Sequence, residues 1–562
     1  MAEMSLATSP ARAPAGWHGG LALLLAGLWL SCLWSLPTNP YAPVRFALSV
    51  EIALLLLLLA LIAPLRGGAA GRLLRYALAV ATTFVVALKA GELAIRSSLG
   101  RPLNPLLDLD LAPSMVHLLA GTLGGWRAGL LLAGAALALL AVLGLSVLAI
   151  GVAQRALAGP RPRALMLIAG ILLLAIFGLG QAAPHLIAWL PVSAHASDML
   201  LAQWRLGRDA VHDQARLEAS MASDPFRDLP ADALLTRLAG IDVLLIYVES
   251  YGRSALEQPR YAATIQPRLA AFEQALAARG LVAASGYLTS PTVGGQSWLA
   301  HGTIQSGLWL PHQRDYNALV RSDWLTLTKA FARAGHRTLA VKPAITMPWP
   351  EGEQLGYHCI YAAADLGYAG LPYNWVTMPD QYTLSALQRL EREPADLPLF
   401  AEISLISSHA PWTPIPPVLE DWSAIGDGAV FSRWAQDGDP PEVVWRDPER
   451  VRHQYTLAID YALGVLASYA AAFADERTLM IVVGDHQPAP LITGPDAGHD
   501  VPIHIIAGDA ALLEPFRDWG LAAGMRPTGA PLGRMDTVRD WLLATFSELG
   551  SESVIVRSGR SG

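Results

Sequence analysis

Long apolar stretches fill the first third of the chain, whereas shorter apolar runs alternate with polar segments after about residue 190. A membrane-spanning helix needs roughly 20 mostly apolar residues, because the hydrocarbon layer is about 30 Å thick and a helix rises about 1.5 Å per residue. The stretches that meet this length lie near residues 19–36, 44–65, 73–95, 128–153 and 164–186. The pattern therefore predicts a transmembrane domain over residues 1–186 with five spans.

Three further segments are predicted from their polarity. Residues 97–127 are too polar to span a membrane, and their mixed apolar pattern predicts an interfacial helix or a re-entrant piece. Residues 187–237 become increasingly polar and predict a helical connector. The tail at residues 551–562 is polar, and we expect it to be loosely held.

The region 238–550 shows apolar, β-branched runs that alternate with helical stretches. This alternation predicts an α/β domain with a mostly parallel central sheet. Strands are predicted at 241–248, 280–284, 338–342, 398–406, 478–483 and 501–507, and helices at 266–279, 297–308, 323–334, 380–392 and 450–473.

Charge follows the same division. Residues 1–190 hold 12 Lys and Arg and 5 Asp and Glu, whereas residues 191–562 hold 28 and 42. The whole chain of 562 residues is 53% apolar and 15% charged, which excludes a disordered chain, a nucleic-acid-coating protein and a small disulfide-stapled domain. Its two cysteines, Cys32 and Cys359, fall in different predicted domains, so we expect no disulfide between them.

Basic residues in the short loops predict the orientation in the membrane. The loop after the second span carries Arg66, Arg72 and Arg75, and the loop after the fourth carries Arg155, Arg161 and Arg163, whereas the loop after the first carries no basic residue. This places the N-terminus in the cytoplasm. With five spans, the acidic domain then lies outside the inner membrane.

Reactive residues follow three of the predicted strands. Glu249 follows 241–248, Asp485 and His486 follow 478–483, and His409 follows 398–406. Ligands of parallel sheets bind beyond the carboxyl ends of the strands, so we expect these side chains to meet. Two carboxylates and an imidazole suit a divalent cation. Ser297, after a Gly-Gly turn and at the start of a predicted helix, completes four ligands and is the expected nucleophile.

Four motifs carry a family resemblance: VLLIYVESYGRS, GGQSWLAHGT, SLISSHAPW and VVGDHQP. Together they resemble the sulfatase-like branch of the alkaline phosphatase superfamily, in particular its membrane-anchored lipoteichoic acid synthases and its phosphoglycerol and phosphoethanolamine transferases. The resemblance implies that Glu249, Ser297, Asp485 and His486 hold one metal ion, Mn²⁺ or Zn²⁺, and that His409 contacts the substrate phosphate. It also implies a bacterial inner membrane protein whose catalytic domain is periplasmic or extracellular.

The sequence departs from the family at some positions. The closest transferases use Thr where this chain has Ser297, so Thr292 and Thr303 remain rival nucleophiles. The sulfatase signature Cys-x-Pro-x-Arg is absent from the sequence, which argues against sulfate-ester hydrolysis. The disulfide-rich domain common in lipid A phosphoethanolamine transferases is also missing, which favours phosphoglycerol as the transferred group.

Further substrate contacts are predicted at Lys342 and Trp349, in the segment where the synthases place phosphate- and glycerol-binding residues, and at His301 and His499. For Lys342 an ordinary surface loop is the alternative. His504 is either a second metal ligand or a histidine of the core.

The function expected from the resemblance is metal-dependent transfer of a phospholipid-derived phospho-head group through a covalent serine intermediate. The expected partners are a phospholipid donor in the outer leaflet, a glycan or lipid-linked acceptor and the bilayer itself, with no nucleic acid. A phosphoethanolamine transferase, a phosphatase or phosphodiesterase that uses water, and a non-catalytic membrane sensor or scaffold are the alternatives.

Overall fold

The chain divides into two compact units. The computed structural model describes residues 16–40, 48–183, 192–393 and 396–549, so the predicted tail at 551–562 lies outside the described residues. The first unit comprises residues 1–96, 102–105 and 123–208, and the second comprises 97–101, 106–122 and 209–562.

Apolar helices form the first unit. Three of them, Ala69–Leu99, Gly125–Ala156 and Pro160–Ala182, are long and apolar enough to cross a membrane, by length and composition. The helices Gly16–Ser35 and Val50–Ile62 are also apolar but shorter in their membrane-like part. The helices mark this unit as a membrane domain, but the predicted number of five full spans is not confirmed. Among the described residues before 222, the α-helices Pro105–Asp108, Ala112–Leu123 and His195–Met221 belong at least partly to the second unit.

Charged side chains inside the first unit have protein partners. Lys89 donates hydrogen bonds to the backbone carbonyls of Trp34 and Leu36, the latter at 2.8 Å. Glu92 accepts one from Arg96 Nε at 2.6 Å. Because buried polar groups are stable only with such partners, these contacts account for charges within apolar helices.

An eight-stranded sheet organises the second unit. Its strands in chain order are β1 (Asp242–Val248), β2 (Val282–Thr289), β3 (Arg337–Lys342), β4 (Cys359–Ala362), β5 (Leu399–Leu405), β6 (Thr478–Gly484), β7 (Asp500–Ala507) and β8 (Ala522–Ala523). Their order across the sheet is β8-β2-β7-β6-β1-β5-β3-β4. The central strands β1, β3, β5 and β6 run parallel, while β7 runs antiparallel to both β2 and β6.

Helices cover the faces of this sheet, so its central strands are buried on both sides and are nearly continuous in apolar residues. The helices are Arg253–Glu257, Pro259–Ala278, Ser297–Ser306, Gln313–Val320, Leu327–Arg333, Pro350–Leu355, Asp380–Leu387, Pro441–Val444, Pro448–Phe473, Pro490–Thr493, Ala510–Trp519 and Thr537–Phe546.

The Pro448–Phe473 helix is also apolar enough to cross a membrane by composition. Its buried residues Ile459 and Leu463, however, belong to the same core cluster as Leu244 and Ile246 of β1. This helix is therefore a core element of the second unit, and its apolarity reflects burial against protein.

The sheet topology gathers several strand ends at one edge. The parallel strands β1, β3, β5 and β6 all end there, and β2 joins them because it runs antiparallel to β7, which is itself antiparallel to β6. The loops that follow these strands therefore meet along a single line, as expected for an α/β sheet.

Candidate active site

A cluster of two carboxylates and one imidazole lies at this edge of the sheet. Glu249 follows β1, and Asp485 and His486 follow the adjacent strand β6. One ligand atom from each of the three side chains lies within 4.8 Å of the others. All three residues are buried.

Hydrogen bonds hold the cluster in place. Asp485 Oδ1 accepts from the backbone N–H groups of Ser250 at 2.8 Å and of His486 at 2.7 Å. The Ser250 hydroxyl donates to Glu249 Oε1 at 3.0 Å. The Ser408 hydroxyl donates to the Glu249 carbonyl at 2.6 Å, which ties the loop after β5 to the end of β1. Such supports fix the orientation of side chains that bind an ion.

Ser297 reaches the cluster from the start of the Ser297–Ser306 helix. Its hydroxyl donates to Glu249 Oε2 at 2.8 Å and lies 3.2 Å from His486 Nε2. Free N–H groups in the first turn of a helix favour negative charge, so this position suits an oxygen that becomes ionised.

A tight turn before the helix makes this placement possible. Gly294 and Gln296 have φ values of 73° and 64°, in the left-handed region that favours glycine. A Cβ atom on Gly294 would lie 2.1 Å from the carbonyl oxygen of Ser98, so no larger residue fits there. The Gly-Gly pair of the sequence motif therefore permits both the reversed backbone and the close approach.

The two rival threonines have other hydrogen bonds. The Thr292 hydroxyl donates to the Gly295 carbonyl at 2.7 Å, within the turn. The Thr303 hydroxyl accepts from the Leu310 N–H at 3.2 Å and is fully buried. Within the described residues, only Ser297 of these three hydroxyl residues hydrogen-bonds to the cluster.

The electrostatics of the cluster favour a cation. Burial and the Glu249 carboxylate raise the pKa of Asp485 to about 8. Burial disfavours a charged imidazole, but Asp485 and Glu249 outweigh it and raise the pKa of His486 to about 9. In the described part of the chain no Lys or Arg pairs with either carboxylate. Among the described residues, the protonated His486 is the basic partner of both carboxylates, and a divalent cation bound to this cluster can take the place of its proton.

The imidazole has the tautomer that a metal ligand needs. His486 Nδ1 lies 2.9 Å from the Gln487 carbonyl oxygen, to which it donates, so Nε2, which faces Ser297 and Glu249, is the nitrogen that offers a lone pair once a metal replaces its proton. With this lone pair, two carboxylates and a hydroxyl, the donor set fits a single divalent cation. It does not distinguish Mn²⁺ from Zn²⁺.

His409 stands beside the cluster at a cavity wall. Its Nδ1 lies 2.7 Å from the Ala410 carbonyl oxygen, and its ring meets Trp375 edge to face at 4.0 Å between centroids. Burial lowers the pKa of His409, so the ring is neutral near pH 7. The backbone contact leaves Nε2 for a ligand in the cavity.

A cavity of about 1090 Å³ opens from the cluster. Of the residues predicted to bind substrate, His301, Lys342, Trp349 and His409 line it. His499 does not: its side chain is exposed, and its Nδ1 lies 3.0 Å from the Ser290 carbonyl oxygen.

His504 lies away from the cavity, in the interior of the sheet. It is fully buried on β7 and hydrogen-bonds to the Tyr251 hydroxyl at 3.1 Å and the Ser285 hydroxyl at 2.8 Å. Burial lowers the pKa of His504 to about 3. Both ring nitrogens hydrogen-bond to protein groups. This is the environment of a core histidine and not that of a second metal ligand.

The cavity wall also holds polar residues that the sequence analysis does not single out, among them Glu402, Ser404 and Tyr357. Glu402 and Ser404 alternate with apolar residues along β5, in the run Leu399–Leu405 that is otherwise apolar. Since alternate residues of a strand share one face, this spacing is a signal that a sequence search could have used.

The comparisons with known proteins give distant structural similarities. No protein-family model and no curated protein sequence matches the chain. The lipoteichoic acid synthase LtaP from Listeria monocytogenes is 12% identical with a TM-score of 0.35, over 49% of this chain and 67% of LtaP. The lipooligosaccharide phosphoethanolamine transferase EptA from Neisseria meningitidis, an integral membrane protein, is 12% identical with a TM-score of 0.38, over 72% of this chain and 76% of EptA.

A third similar structure is an alkaline phosphatase superfamily protein from Vibrio parahaemolyticus, at 17% identity and a TM-score of 0.37, over 60% of this chain and 75% of that one. The chain is similar to proteins of this superfamily, as its motifs predict. Every one of these TM-scores is below 0.5, so the similarities carry no function over to this chain.

Proposed function

We propose that the protein is a metal-dependent phospho-group transferase that takes a head group from a phospholipid and passes it on through a covalent bond to Ser297. The observation that carries this proposal is the Ser297 hydroxyl. It lies at a helix start and contacts both Glu249, at 2.8 Å, and His486, at 3.2 Å. A hydroxyl so placed beside a cation-binding cluster is an activated nucleophile.

In the first step the Ser297 Oγ–H bond breaks and an Oγ–P bond forms. Glu249 Oε2 already accepts the hydroxyl hydrogen, so the proton has an acceptor in place. The bond between phosphorus and the glycerol oxygen of the lipid breaks, and that oxygen takes up a proton, which releases diacylglycerol. The phospho-head group stays on Ser297.

Glu249, Ser297, Asp485 and His486 would hold a divalent cation, which would supply positive charge to the reacting oxygens when bound. The free N–H groups at the start of the Ser297–Ser306 helix contribute further positive potential. His409, whose Nδ1 is held by a backbone carbonyl, keeps Nε2 towards the cavity, where a substrate group can meet it.

In the second step an acceptor hydroxyl attacks the phosphorus, the Oγ–P bond breaks, and the acceptor's proton returns to the serine oxygen. A cavity of about 1090 Å³ has room for a head group and for part of an acceptor. Phosphoglycerol is the proposed head group and a glycan or lipid-linked hydroxyl the proposed acceptor. Phosphoethanolamine transfer, or transfer to water, is the second candidate, since the same steps serve both.

The proposed location follows from the apolar helices of the first unit and the loop charges. It is a bacterial inner membrane, with the N-terminus in the cytoplasm and the second unit outside. There the donor lipid of the outer leaflet lies on the same side as the active site.

The test uses the full chain in detergent micelles with Mn²⁺ and a fluorescent phosphatidylglycerol. Wild-type protein is expected to release fluorescent diacylglycerol and to gain the mass of phosphoglycerol in intact mass spectrometry. The variant Ser297→Ala is expected to do neither. The exposed Ser423, changed in the same way, is the matched control.

Two outcomes contradict the proposal. Undiminished diacylglycerol release by Ser297→Ala removes the proposed nucleophile. A wild-type protein that binds no metal and forms no adduct with total lipid extract favours the sensor or scaffold alternative. A phosphoethanolamine adduct instead corrects the head group and leaves the mechanism in place.

A further inference from the structure

A buried ion pair lies in the wall of the active-site cavity. Lys342, at the end of β3, contacts Glu402 on β5, and their side chains are 7% and 2% exposed. A lone Lys in this position would serve a phosphate as a point charge. The hydrogen bonds around Lys342 indicate a different role for this side chain.

All three N–H groups of Lys342 have acceptors inside the protein. They point to the Glu402 carboxylate, to the Ser404 hydroxyl at 3.1 Å and to His301 Nδ1 at 3.2 Å. An ammonium group has three donors, so none is left for a ligand.

The carboxylate of the pair is equally engaged. Besides Lys342, Glu402 accepts hydrogen bonds from the amide of Gln305 and, at 2.7 Å, from the Tyr357 hydroxyl. The pair is thus neutral as a unit, and breaking it would leave a buried charge without a partner. Lys342 and Glu402 therefore form a rigidly held ion pair within the cavity wall.

This ion pair determines the tautomer of His301. An ammonium group cannot accept a hydrogen bond, so the His301 nitrogen that faces Lys342, Nδ1, must offer its lone pair. The proton of the neutral ring then lies on Nε2. Burial and the positive charge of Lys342 lower the pKa of His301 well below its usual value, which keeps the ring neutral.

The Nε2–H group lacks an acceptor. His301 Nε2 is buried and has no hydrogen-bond partner among the described residues, and the same holds for the hydroxyl of Tyr247. The two rings stack at 3.8 Å between centroids, and both residues line the cavity. Two adjacent buried donors without partners are costly unless a ligand completes them.

The nature of that ligand follows from position and chemistry. His301 lies four residues after Ser297 on one helix, so the two side chains share a face. The group that meets Nε2–H must be an acceptor close to the nucleophile. A metal ion is excluded as that ligand, because Nε2 has no lone pair to give.

We infer that His301 donates its Nε2–H to an oxygen of the phospho group transferred to Ser297, beside the Tyr247 hydroxyl, and that Lys342 and Glu402 are positioning residues which hold His301 in this tautomer. The inference rests on the proposed function for the identity of the phospho group. The tautomer and the donor pair rest on the described contacts alone.

Kinetics of the full chain in micelles with fluorescent phosphatidylglycerol test the donor. His301→Leu is expected to lower kcat by about 10- to 100-fold with KM changed much less, since one donor to a developing oxyanion contributes about this much or more. His301→Gln, whose amide keeps a donor near the same place, is expected to recover part of the loss. Tyr247→Phe removes only a hydroxyl and is expected to lower kcat by about tenfold. The exposed His453, changed to Leu, is the control.

Kinetics of Lys342→Met test the positioning role. This variant removes the group that fixes Nδ1, and kcat is expected to fall as in His301→Leu. In the double variant Lys342→Met/His301→Leu the two losses are expected not to add, because both act on one donor. Lys329→Met, outside the cavity, is the matched control.

Selective ¹⁵N labelling of histidine tests the tautomer without reference to activity. The signal lost in His301→Leu is expected to show a protonated Nε2, and Lys342→Met is expected to shift it towards a mixture. Inorganic phosphate added with Mn²⁺ is expected to move this signal further. If wild-type protein releases no diacylglycerol, the proposed function is wrong. The spectrum still determines the tautomer of His301 in that case.

Two results overturn the inference. One is a proton on Nδ1 of His301 in wild-type protein. The other is a set of His301→Leu, Tyr247→Phe and Lys342→Met variants that are folded, active and within about twofold of wild type in kcat.

Discussion

A buried ion pair fastens the segment before β1 to the end of the second unit, and its removal is expected to lower stability without changing the chemistry. Arg539 and Asp224 are 1% and 2% exposed at their side chains. The guanidinium also donates to the Leu325 carbonyl at 2.8 Å and to Asp540 at 2.7 Å. The Asp224→Ala variant leaves this cation buried with only the half-exposed Asp540 as its anionic partner.

The size of the effect follows from these contacts. Removing one partner of a buried pair destabilises a protein by about 3–5 kcal/mol. Because Asp540 remains in contact, we expect the lower end, about 3 kcal/mol. With an unfolding entropy of about 2.1 cal/mol/K per residue, a domain of roughly 340 residues is expected to lose about 4 °C in Tm. The double variant Asp224→Leu/Arg539→Met, which replaces both charges by apolar groups, is expected to regain most of it.

Thermal unfolding of the full chain in micelles, followed by tryptophan fluorescence, measures this. The control is Asp213→Ala, which removes an ion pair with Arg216 whose side chains are 46% and 81% exposed, and it is expected to shift Tm by about 1 °C or less. Diacylglycerol release at 20 °C is expected to be the same in all variants. A Tm for Asp224→Ala equal to that of Asp213→Ala would refute the reasoning.

Three further predictions concern the active site. Ser297→Thr keeps a hydroxyl at the helix start and is expected to retain kcat within about tenfold. Ser297→Ala is expected to lower kcat by about 10⁴-fold or more, as for a removed nucleophile. A Thr variant as inactive as the Ala variant would show that the extra methyl does not fit. Asp485→Ala is expected to abolish bound metal in elemental analysis of purified protein, because it removes one of two carboxylate ligands; metal retained at the wild-type ratio would contradict the assignment. Gly294→Ala is expected to lower kcat by about 100-fold or more, because its Cβ would lie 2.1 Å from the Ser98 carbonyl oxygen and its φ is 73°; an unaltered rate would mean that the turn does not place Ser297.

The predicted helices and strands of the second unit were largely correct, because burial leaves a strong periodic signal. All six predicted strands are present, and five match to within one residue at each end. The exception is β2, predicted at 280–284 and found at Val282–Thr289. The strands missed, Cys359–Ala362 and Ala522–Ala523, are short and lie at the edges of the sheet. A short edge strand forms because it pairs with a neighbouring strand. The local sequence does not show that this pairing will occur.

The meeting of two carboxylates and one imidazole in a cluster follows from the sequence for a related reason. Glu249, Asp485 and His486 each follow an apolar run, and an α/β sheet brings such positions together. Ser297 follows a turn whose backbone conformation requires glycine, and the Gly-Gly pair is visible in the sequence. By contrast, the membrane segments could be recognised by composition but not counted, since length and apolarity also describe the buried helix Pro448–Phe473.

The sequence by itself determined the two-part composition, the strand–helix alternation and the chemistry that follows each strand, because these depend on residue type and spacing along the chain. Only the tertiary structure decided which groups surround Lys342 and His301. From sequence Lys342 is a free cation for a phosphate, yet Glu402, Ser404 and His301 take all its donors. Those partners come from β5 and from the Ser297–Ser306 helix, whereas Lys342 ends β3. The tautomer of His301, and an Nε2–H without a partner among the described residues, therefore arise only when the sheet is assembled.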